Sequence, residues 1–215
     1  MYLTRVTLDI NKRKTQLALS APGKIHGAVE LSFPKKQNRN LWRIDTYNNN
    51  MYLLLLSSEI PDMTNFISQY GVDGSKAETK DYNLLLSRIT KDSIWRFRLV
   101  ANPTHSIKQQ NGRGKVLAHI SSVHQLQWLL KQAEQNGFEI FNDNCFITSS
   151  EWKSFYKGEI EKSEYQYGKK IRFIQVSYEG LLQVKDPEIF KKSLVNGIGR
   201  EKAYGMGLLT LTGGN

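Results

Sequence analysis

The sequence predicts an α+β protein made of two tandem ferredoxin-like (βαββαβ) domains. Short segments of alternating apolar and polar residues, typical of strands, are interrupted in each half of the chain by two segments with helical spacing. The order strand, helix, strand, strand, helix, strand therefore occurs twice, and this order defines the split βαβ unit. We place the boundary near residues 89–93, which gives an N-terminal domain at 1–90 and a C-terminal domain at 91–215.

The first half contains the first set of predicted elements. They are a strand at 2–9, a helix at 24–33, strands at 41–47 and 51–57, a helix at 62–70 and a strand at 82–89. Pro22-Gly23 precedes the first helix and Pro34 ends it. Asn48-Asn49-Asn50 suits the turn of a hairpin, because asparagine tolerates left-handed backbone conformations. The polar residues 71–80 are predicted to form a loop.

The second half repeats the pattern. Its predicted elements are a strand at 94–102, a helix at 122–136, a short strand region at 138–150, a hairpin of 171–178 and 181–185 around Glu179-Gly180, a helix at 186–197 and a strand at 207–212. Ser121 or Ser122 can cap the first helix, which ends at Gly137. Asp186-Pro187 supplies a capping residue and a proline at the first position of the second helix. The basic segment 104–116 is predicted to be a loop.

The charge of the chain indicates a polyanionic partner. Lysine and arginine number 30 against 20 acidic residues, which gives a formal net charge of +10 and a pI near 9.6. Both halves are basic, with 12 basic and 8 acidic residues in 1–90 and 18 and 12 in 91–215. No apolar stretch is long enough to span a membrane, and no long helix pairs a basic face with an apolar one. Nucleic acid is therefore the expected partner, and no membrane is expected.

Cysteine content and the start of the chain bear on localisation. Cys145 is the only cysteine, so no disulfide can form within the chain. The first residues, MYLTRVTLDI, lack a basic region followed by a long apolar run, so we expect no signal peptide. These observations together predict a cytoplasmic protein.

A glycine-rich stretch, GIGREKAYGMG, occupies residues 197–207. It is not a P-loop, since no G-K-[ST] follows, and it lies between a helix and a strand, which also excludes a Rossmann fingerprint. Two interpretations remain open. The small residues can let the backbone approach an anionic ligand, with Gly199, Arg200 and Lys202 as contacts, or they can serve a tight connection between helix and strand.

Histidines are the candidate chemical groups. The sequence has no H-E-x-x-H, no Cys/His ligand spacing and no carboxylate constellation for two metals, so neither a metal nor another cofactor is expected. His105 and His119 lie in or near the basic loop and are candidate phosphate contacts, whereas His124 is expected to be structural or exposed. His26 lies at the start of the first helix, two residues after Lys24, where a structural and a functional role are both open.

Six segments, in order along nearly the whole chain, carry a resemblance to a known family. They are MYLTRV at 1–6, His26 with a helix ending in LSFP at 31–34, WRFRLVANPT at 95–104, QLQWL at 125–129, GKKIRFIQVSYEGLL at 168–182 and GIGREKAYGMGLLTL at 197–211. Together they resemble the CRISPR repeat-processing endoribonuclease of the CasE type. That enzyme is the RNA-cleaving subunit of the type I-E Cascade complex and belongs to the RAMP superfamily.

The resemblance implies a metal-independent ribonuclease with two ferredoxin-like domains. Such an enzyme cuts precursor CRISPR RNA at the base of the repeat stem-loop by attack of a 2′-hydroxyl, leaving a 2′,3′-cyclic phosphate, and keeps the product hairpin within Cascade. His26 matches the family's catalytic histidine and would act as general acid or base. Lys24 would stabilise charge on the phosphorane. The implied partners are the repeat RNA stem-loop and the other Cascade subunits.

One position departs from the family pattern. The family often has a tyrosine three residues before the histidine, where this chain has Gly23. Tyr165 or Tyr167 is the candidate substitute. The departure favours an alternative, a non-catalytic subunit that binds an RNA hairpin. A generic RRM-type binder is excluded, because no strand carries an RNP1-like run.

The remaining candidate residues are basic and are predicted to contact RNA. A-form RNA has a major groove too deep and narrow for side chains, so recognition should rest largely on phosphates and shape. Arg96 and Arg98 alternate on one strand and would share a face. The others are Arg113 and Lys115 on the basic loop, and Lys169, Lys170 and Arg172 at the start of the 171–178 strand.

Overall fold

The strands and helices are taken from a computed structural model, which describes residues 1–35, 40–108, 114–157 and 169–213. The strands are β1 Tyr2–Leu8, β2 Leu41–Tyr47, β3 Asn50–Ser57, β4 Glu78–Asp81, β5 Ile94–Ala101, β6 Thr104–Ile107, β7 Lys115–Ala118, β8 Phe138–Lys157, β9 Lys169–Val184 and β10 Leu209–Thr212. The helices are α1 Arg13–Ser20, α2 Pro22–Glu30, α3 Thr64–Tyr70, α4 Asn83–Ser87, α5 Ser122–Gln135 and α6 Pro187–Asn196, with a 3₁₀ turn at Lys202–Tyr204.

Two four-stranded antiparallel sheets confirm the predicted fold class. The first has the order β2-β3-β1-β4 and the second the order β10-β5-β9-β8. In each, the third strand of the unit lies between the first and second, as the split βαβ arrangement requires. The strands of the first sheet lie within residues 2–81 and those of the second within 94–212. The domain boundary at residue 90 remains a prediction. A separate hairpin, β6-β7, lies between β5 and α5.

Local signals begin and end the helices that carry the second unit. Asp186 Oδ1 accepts hydrogen bonds from the backbone N–H groups of Glu188 and Ile189, both at 3.0 Å, and thereby caps α6. Ser121 caps α5 by accepting from the His124 N–H. Both caps agree with the sequence prediction.

Helix α2 packs on one face of the first sheet, and helices α5 and α6 pack on one face of the second. In the first core, Val6, Leu53 and Leu55 of the sheet pack against Ile25 and Val29 of α2. The second core lies between the second sheet and helices α5 and α6, and it extends into the first sheet through a few leucines, including Leu41 and Leu56. The two units therefore share a continuous apolar contact.

Arg43 joins the two sheets with a saturated guanidinium group. Its side chain is 2% exposed and makes five hydrogen bonds, one for each of its N–H groups. Two go to the carboxylate of Asp45 at 2.7 and 2.6 Å, within the first sheet. Three cross to the second sheet, to Arg98 O at 3.1 Å, Leu208 O at 2.7 Å and Thr210 Oγ1 at 2.8 Å. No local sequence pattern indicates this role for Arg43.

Several elements differ from the prediction. Helix α1 had no predicted counterpart, and α4 forms where a strand at 82–89 was predicted, because a short apolar run such as NLLLS does not distinguish the two. The predicted loop 71–80 ends in β4, a charged edge strand, and the predicted loop 104–116 contains the β6-β7 hairpin. Helix α2 spans 22–30 rather than 24–33, because Pro22 occupies its first turn.

The predicted hairpin around Glu179-Gly180 is wrong. Strand β9 runs without a turn from Lys169 to Val184 and pairs with β8, which extends well beyond the predicted 138–150. The register of this pair shifts between Ile140 and Cys145, and there the Asn144 carbonyl lies where a Cβ on residue 180 would stand. The glycine at 180 thus serves a β-bulge.

Candidate active site and nucleic-acid interface

Helix α2 places His26 against the glycine-rich segment. Ile25 and Val29 are buried in the first core, which leaves His26 half-buried and Lys24 exposed on the helix. The helix packs directly on the 3₁₀ turn at Lys202–Tyr204. The His26 Nδ1 atom is buried and has no hydrogen-bond partner among the described residues, so Nε2 is the nitrogen available to a substrate.

The glycines of 197–207 have structural reasons to be there. Gly197, Gly199, Gly205 and Gly207 all have positive φ between 73° and 86°. A Cβ on Gly205 would lie 2.7 Å from the Trp42 ring, and a Cβ on Gly199 would lie 3.2 Å from Trp128. Of the two interpretations left open, the tight connection accounts for all four glycines, while direct RNA contact by Gly199 stays a prediction.

The charged residues between these glycines differ in exposure. Arg200 is exposed, whereas Lys202 is half-buried and its Cγ atom lies near Gly207. Glu201 has a φ of 60°, a left-handed conformation that is uncommon for a residue with a side chain. Arg200 is thus exposed to solvent just before the 3₁₀ turn, as an RNA contact requires.

Tyr204 follows in the same turn, and no local sequence pattern indicates its place beside the cleft. Its ring packs edge-on against Phe155, at 5.0 Å between centroids, and stacks on Phe173 at 5.8 Å. Burial, together with the nearby Glu201, raises the pKa of Tyr204. The ring lines a cleft of about 560 Å³ between the sheets, to which Pro22, Ile25 and Lys153 also contribute.

A second groove, about 490 Å³ in volume, lies on the open face of the second sheet. Arg96 and Arg98 both line it, as their alternation predicted, together with Phe146, which is 63% exposed. Arg98 is ion-paired with Asp45 at 3.3 Å and with Glu179, whereas Arg96 is exposed and unpaired within the described ranges. Arg96 is therefore the better placed of the two for an added anion.

The basic residues predicted on the β6-β7 and β8-β9 hairpins differ in exposure and in whether the structure describes them. Lys115 is exposed on β7, and Arg113 lies outside the described residues. On β9, Lys170 and Arg172 both lie on the same face and Lys170 is exposed, while the side chain of Lys169 lies outside what the structure describes. The Arg172 guanidinium carbon lies 4.2 Å from the centre of the Trp152 ring. The candidate tyrosines Tyr165 and Tyr167 also lie outside the described residues.

Three histidines form a cluster away from His26. The ring centres of His105 and His119 lie 4.5 Å apart, and those of His119 and His124 lie 5.8 Å apart. Burial and the two neighbouring imidazoles lower the pKa of His119. In the described parts of the chain, no group of three or more His, Cys, Asp or Glu residues is arranged to hold a metal ion. No helix there is long and apolar enough to cross a membrane.

The fold and this site define a protein with two ferredoxin-like units and a histidine-bearing helix packed on a glycine-rich turn. A family model described as "CRISPR associated protein" matches residues 1–212, and the chain belongs to this family. The family expected from the sequence is thereby confirmed.

Individual proteins similar to this chain are consistent with that family. A curated relative, the CRISPR-associated endoribonuclease Cse3 of Thermus thermophilus, is 26% identical over 222 residues, which cover 98% of this chain and 99% of the relative. A structure of CRISPR endoribonuclease Cse3 bound to 19 nt RNA matches with a TM-score of 0.81 and 24% identity, covering 99% of this chain and 100% of that one. A chain of a CRISPR RNA-guided surveillance complex in a pre-nicking state matches with a TM-score of 0.69 and 24% identity, over 98% and 99% of the two chains.

Proposed function

We propose that this protein is a metal-independent endoribonuclease that binds the CRISPR repeat stem-loop and cleaves precursor CRISPR RNA at the base of the stem. The observation that carries the proposal is the placement of His26 on α2, half-buried against the glycine-rich turn, with Nε2 available and with the exposed Lys24 on the same helix. The name of the curated relative supports the reaction class.

The proposed chemistry needs one proton taken and one given. The 2′-hydroxyl of the nucleotide before the scissile bond loses its proton and attacks the adjacent phosphorus. The 5′-oxygen leaves and gains a proton, so the products carry a 2′,3′-cyclic phosphate and a 5′-hydroxyl. An imidazole suits either transfer near neutral pH, and His26 Nε2 would carry one of them.

Charge must also be stabilised during the reaction. The phosphorane carries an additional negative charge, and a cation close to its oxygens lowers its energy. Lys24 is exposed in the first turn of α2 and lies two residues before His26, so the two side chains leave the helix in different directions. The proposed contact is its ammonium group, which a long flexible stem would bring to the phosphate. Gly23 carries no side chain that could supply the second proton transfer.

The proposal extends to the fate of the product. Retention of the cleaved hairpin within Cascade, in the cytoplasm, agrees with the match to a chain of an RNA-guided surveillance complex. The proposed contacts to the hairpin backbone are Lys170 and Arg172 on β9, together with Lys115, Arg96 and Arg200. The spread of these residues over the second unit suits recognition of a duplex by shape and phosphates.

The test is incubation of the purified protein with the repeat RNA of its own genome in the presence of a chelator. We expect one cut at the base of the stem and a fragment ending in a 2′,3′-cyclic phosphate. A repeat carrying a 2′-deoxynucleotide before the scissile bond should bind equally well and stay intact. Cleavage of that deoxy substrate, or cleavage only after addition of a divalent cation, would contradict the proposed mechanism.

One observation favours the alternative function. Gly23 stands where the family often has a tyrosine, and a chain without a second proton-transfer group could hold a hairpin without cutting it. The same experiment separates the two functions. Tight binding of the repeat with no cleavage over hours would identify a non-catalytic hairpin-binding subunit.

A further inference from the structure

Trp152 is unusual among the tryptophans of this chain. The side chains of Trp42, Trp95 and Trp128 are no more than 9% exposed, whereas Trp152 is 45% exposed on β8. A large aromatic side chain on the surface of a sheet buries little apolar area, so its presence calls for another explanation. The ring of Trp152 carries the guanidinium group of Arg172.

Arg172 lies diagonally opposite Trp152 on the neighbouring strand. The ladder pairs Trp152 with Ile174 and Ser154 with Arg172, so the two side chains share one face of the β8-β9 ribbon. The guanidinium carbon is 4.2 Å from the ring centre, well within the range of a cation–π contact. Lys170 lies on the same face, two residues along β9, so this face is basic.

Arg172 differs from the arginines that are held by carboxylates. Arg43 and Arg98 are ion-paired, which neutralises their charge and occupies N–H donors. Within the described ranges Arg172 has no carboxylate partner and is not fully buried. Stacking on a ring face fixes the direction of a guanidinium while its N–H groups, which lie in the guanidinium plane, stay available. Such an arrangement is suited to bidentate binding of a phosphate.

We propose that Trp152 is a positioning residue that holds the Arg172 guanidinium ready for a backbone phosphate of the bound RNA. Trp152 acts through Arg172 and makes no stacking contact with a base. The inference rests on the proposed function insofar as the ligand is an RNA hairpin. It goes further by naming an uncharged residue that contributes to affinity and the contact through which it does so.

The test is a double-mutant cycle on hairpin binding, with Trp152→Leu, Arg172→Gln and the double variant. We expect Arg172→Gln to weaken binding about tenfold through loss of a charge-assisted phosphate contact. Trp152→Leu should weaken binding about threefold, as expected for loss of an exposed cation–π contact. The double variant should bind no more weakly than Arg172→Gln alone, because Trp152 has no role once the guanidinium is gone.

Two further variants separate positioning from general structural effects. Trp152→Phe keeps an aromatic face for the guanidinium and should retain most of the affinity. Tyr47→Leu removes an exposed aromatic side chain from the end of β2, outside the proposed RNA contacts, and should leave hairpin affinity unchanged. Melting temperatures of all variants, measured beside the affinities, identify any loss of binding that follows from unfolding.

The outcomes are distinguishable from those of the proposed function. The inference would be overturned if the loss of affinity in the double variant equalled the product of the losses in Trp152→Leu and Arg172→Gln. Trp152 would then contact the RNA independently of Arg172. If the Trp152→Leu variant is folded and binds the hairpin as tightly as the wild type, the inference is overturned as well. In that case cleavage of the repeat by the wild type would still support the proposed function. Failure of the wild type to bind the repeat hairpin would overturn both.

Discussion

The two ferredoxin-like units share a strand order but differ in the length of their central hairpins. In the first unit β2 and β3 have 7 and 8 residues, whereas in the second β8 and β9 have 20 and 16. The short strands of the first unit support α2 and hold His26 at a fixed position against the glycine-rich turn. The long strands of the second unit carry Lys170 and Arg172.

Under the proposed function, this difference lets one topology serve two tasks. A reacting group gains from a short, packed element, because small displacements at the reacting atoms are costly in rate. A surface for a nucleic-acid duplex gains from length, because affinity grows with the number of phosphates bound. We therefore expect substitutions near His26 in the first unit to change the cleavage rate, and substitutions on the β8-β9 hairpin to change RNA affinity. Substitutions at the joint between the two units, where Arg43 bonds to both sheets, should change stability.

The largest expected effect is at His26. His26→Ala should lower the cleavage rate by about 10²–10⁴-fold, the range for loss of a general acid or base, and leave hairpin affinity within a few-fold. Single-turnover cleavage and a binding titration measure the two quantities. His124→Ala, which removes an exposed histidine from the second unit, is the matched control and should cleave normally. A His26→Ala variant that cuts at the wild-type rate refutes the assignment.

The joint between the units should be sensitive to loss of Arg43. Arg43→Met leaves Asp45 without its bidentate partner and three acceptors of the second sheet without their donor, which should cost about 3 kcal/mol in the free energy of unfolding. Denaturant titration measures it. The control is Arg5→Met, which breaks an exposed pair with Glu78 and should cost less than about 1 kcal/mol. Equal losses in both variants would mean that the buried network is no stronger than a surface pair.

A smaller loss of stability is expected at Gly205. Gly205→Ala places a Cβ 2.7 Å from the Trp42 ring at a φ of +82°, which should destabilise the protein by about 1–3 kcal/mol. Gly74→Ala has a similar φ of +74° but nothing within 4 Å of the added carbon, so it reports the backbone strain alone. The difference between the two melting temperatures measures the packing contact, and no difference would remove Trp42 from the explanation.

The second hairpin should govern the salt dependence of binding. Lys169→Glu combined with Lys170→Glu should weaken hairpin binding and lower the slope of log K against log salt by about one for each phosphate that is no longer bound. Titrations at several salt concentrations give the slope. An unchanged slope would remove this pair of lysines from the interface, and cleavage under saturating RNA should stay close to that of the wild type.

The smallest expected effect concerns acid stability. Burial and two neighbouring histidines lower the pKa of His119 in the folded protein below its unfolded value of about 6.5. The unfolded state therefore takes up a proton first as the pH falls, so stability present above about pH 6.5 is lost on acidification through the folded pKa. His119→Gln should reduce the drop in melting temperature between about pH 7.5 and about pH 5.5. An identical drop in the variant would exclude this histidine as its source.

Local signals explain what the sequence predicted correctly. The caps of α5 and α6 act within a few residues, so Ser121 and Asp186 could be recognised in the chain. Alternation placed Arg96 and Arg98 on one face for the same reason. His26 was proposed from its match to a family motif, since a lone histidine near a helix start has no distinctive spacing of its own, and its role stays a prediction.

Long-range contacts explain what the sequence did not predict. Glu179-Gly180 resembles a turn, but the glycine is required by the Asn144 carbonyl on the neighbouring strand, far away in sequence. The five hydrogen bonds of Arg43 depend on where Leu208 and Thr210 lie, which no local pattern indicates. Trp152 and Arg172 meet only because β8 and β9 pair in one register.

The saturated Arg43 also has a consequence for separating the units. In a fragment of residues 1–90, the three Arg43 N–H groups that bind the second sheet would face water, beside the uncovered side chains of Leu41 and Leu56. The complementary fragment would present the matching acceptors of Arg98, Leu208 and Thr210. Expressed alone, each half should be poorly soluble, whereas the two expressed together should reassemble. With the proposed cleavage as its readout, the protein would serve as a split reporter whose signal returns only when both halves meet.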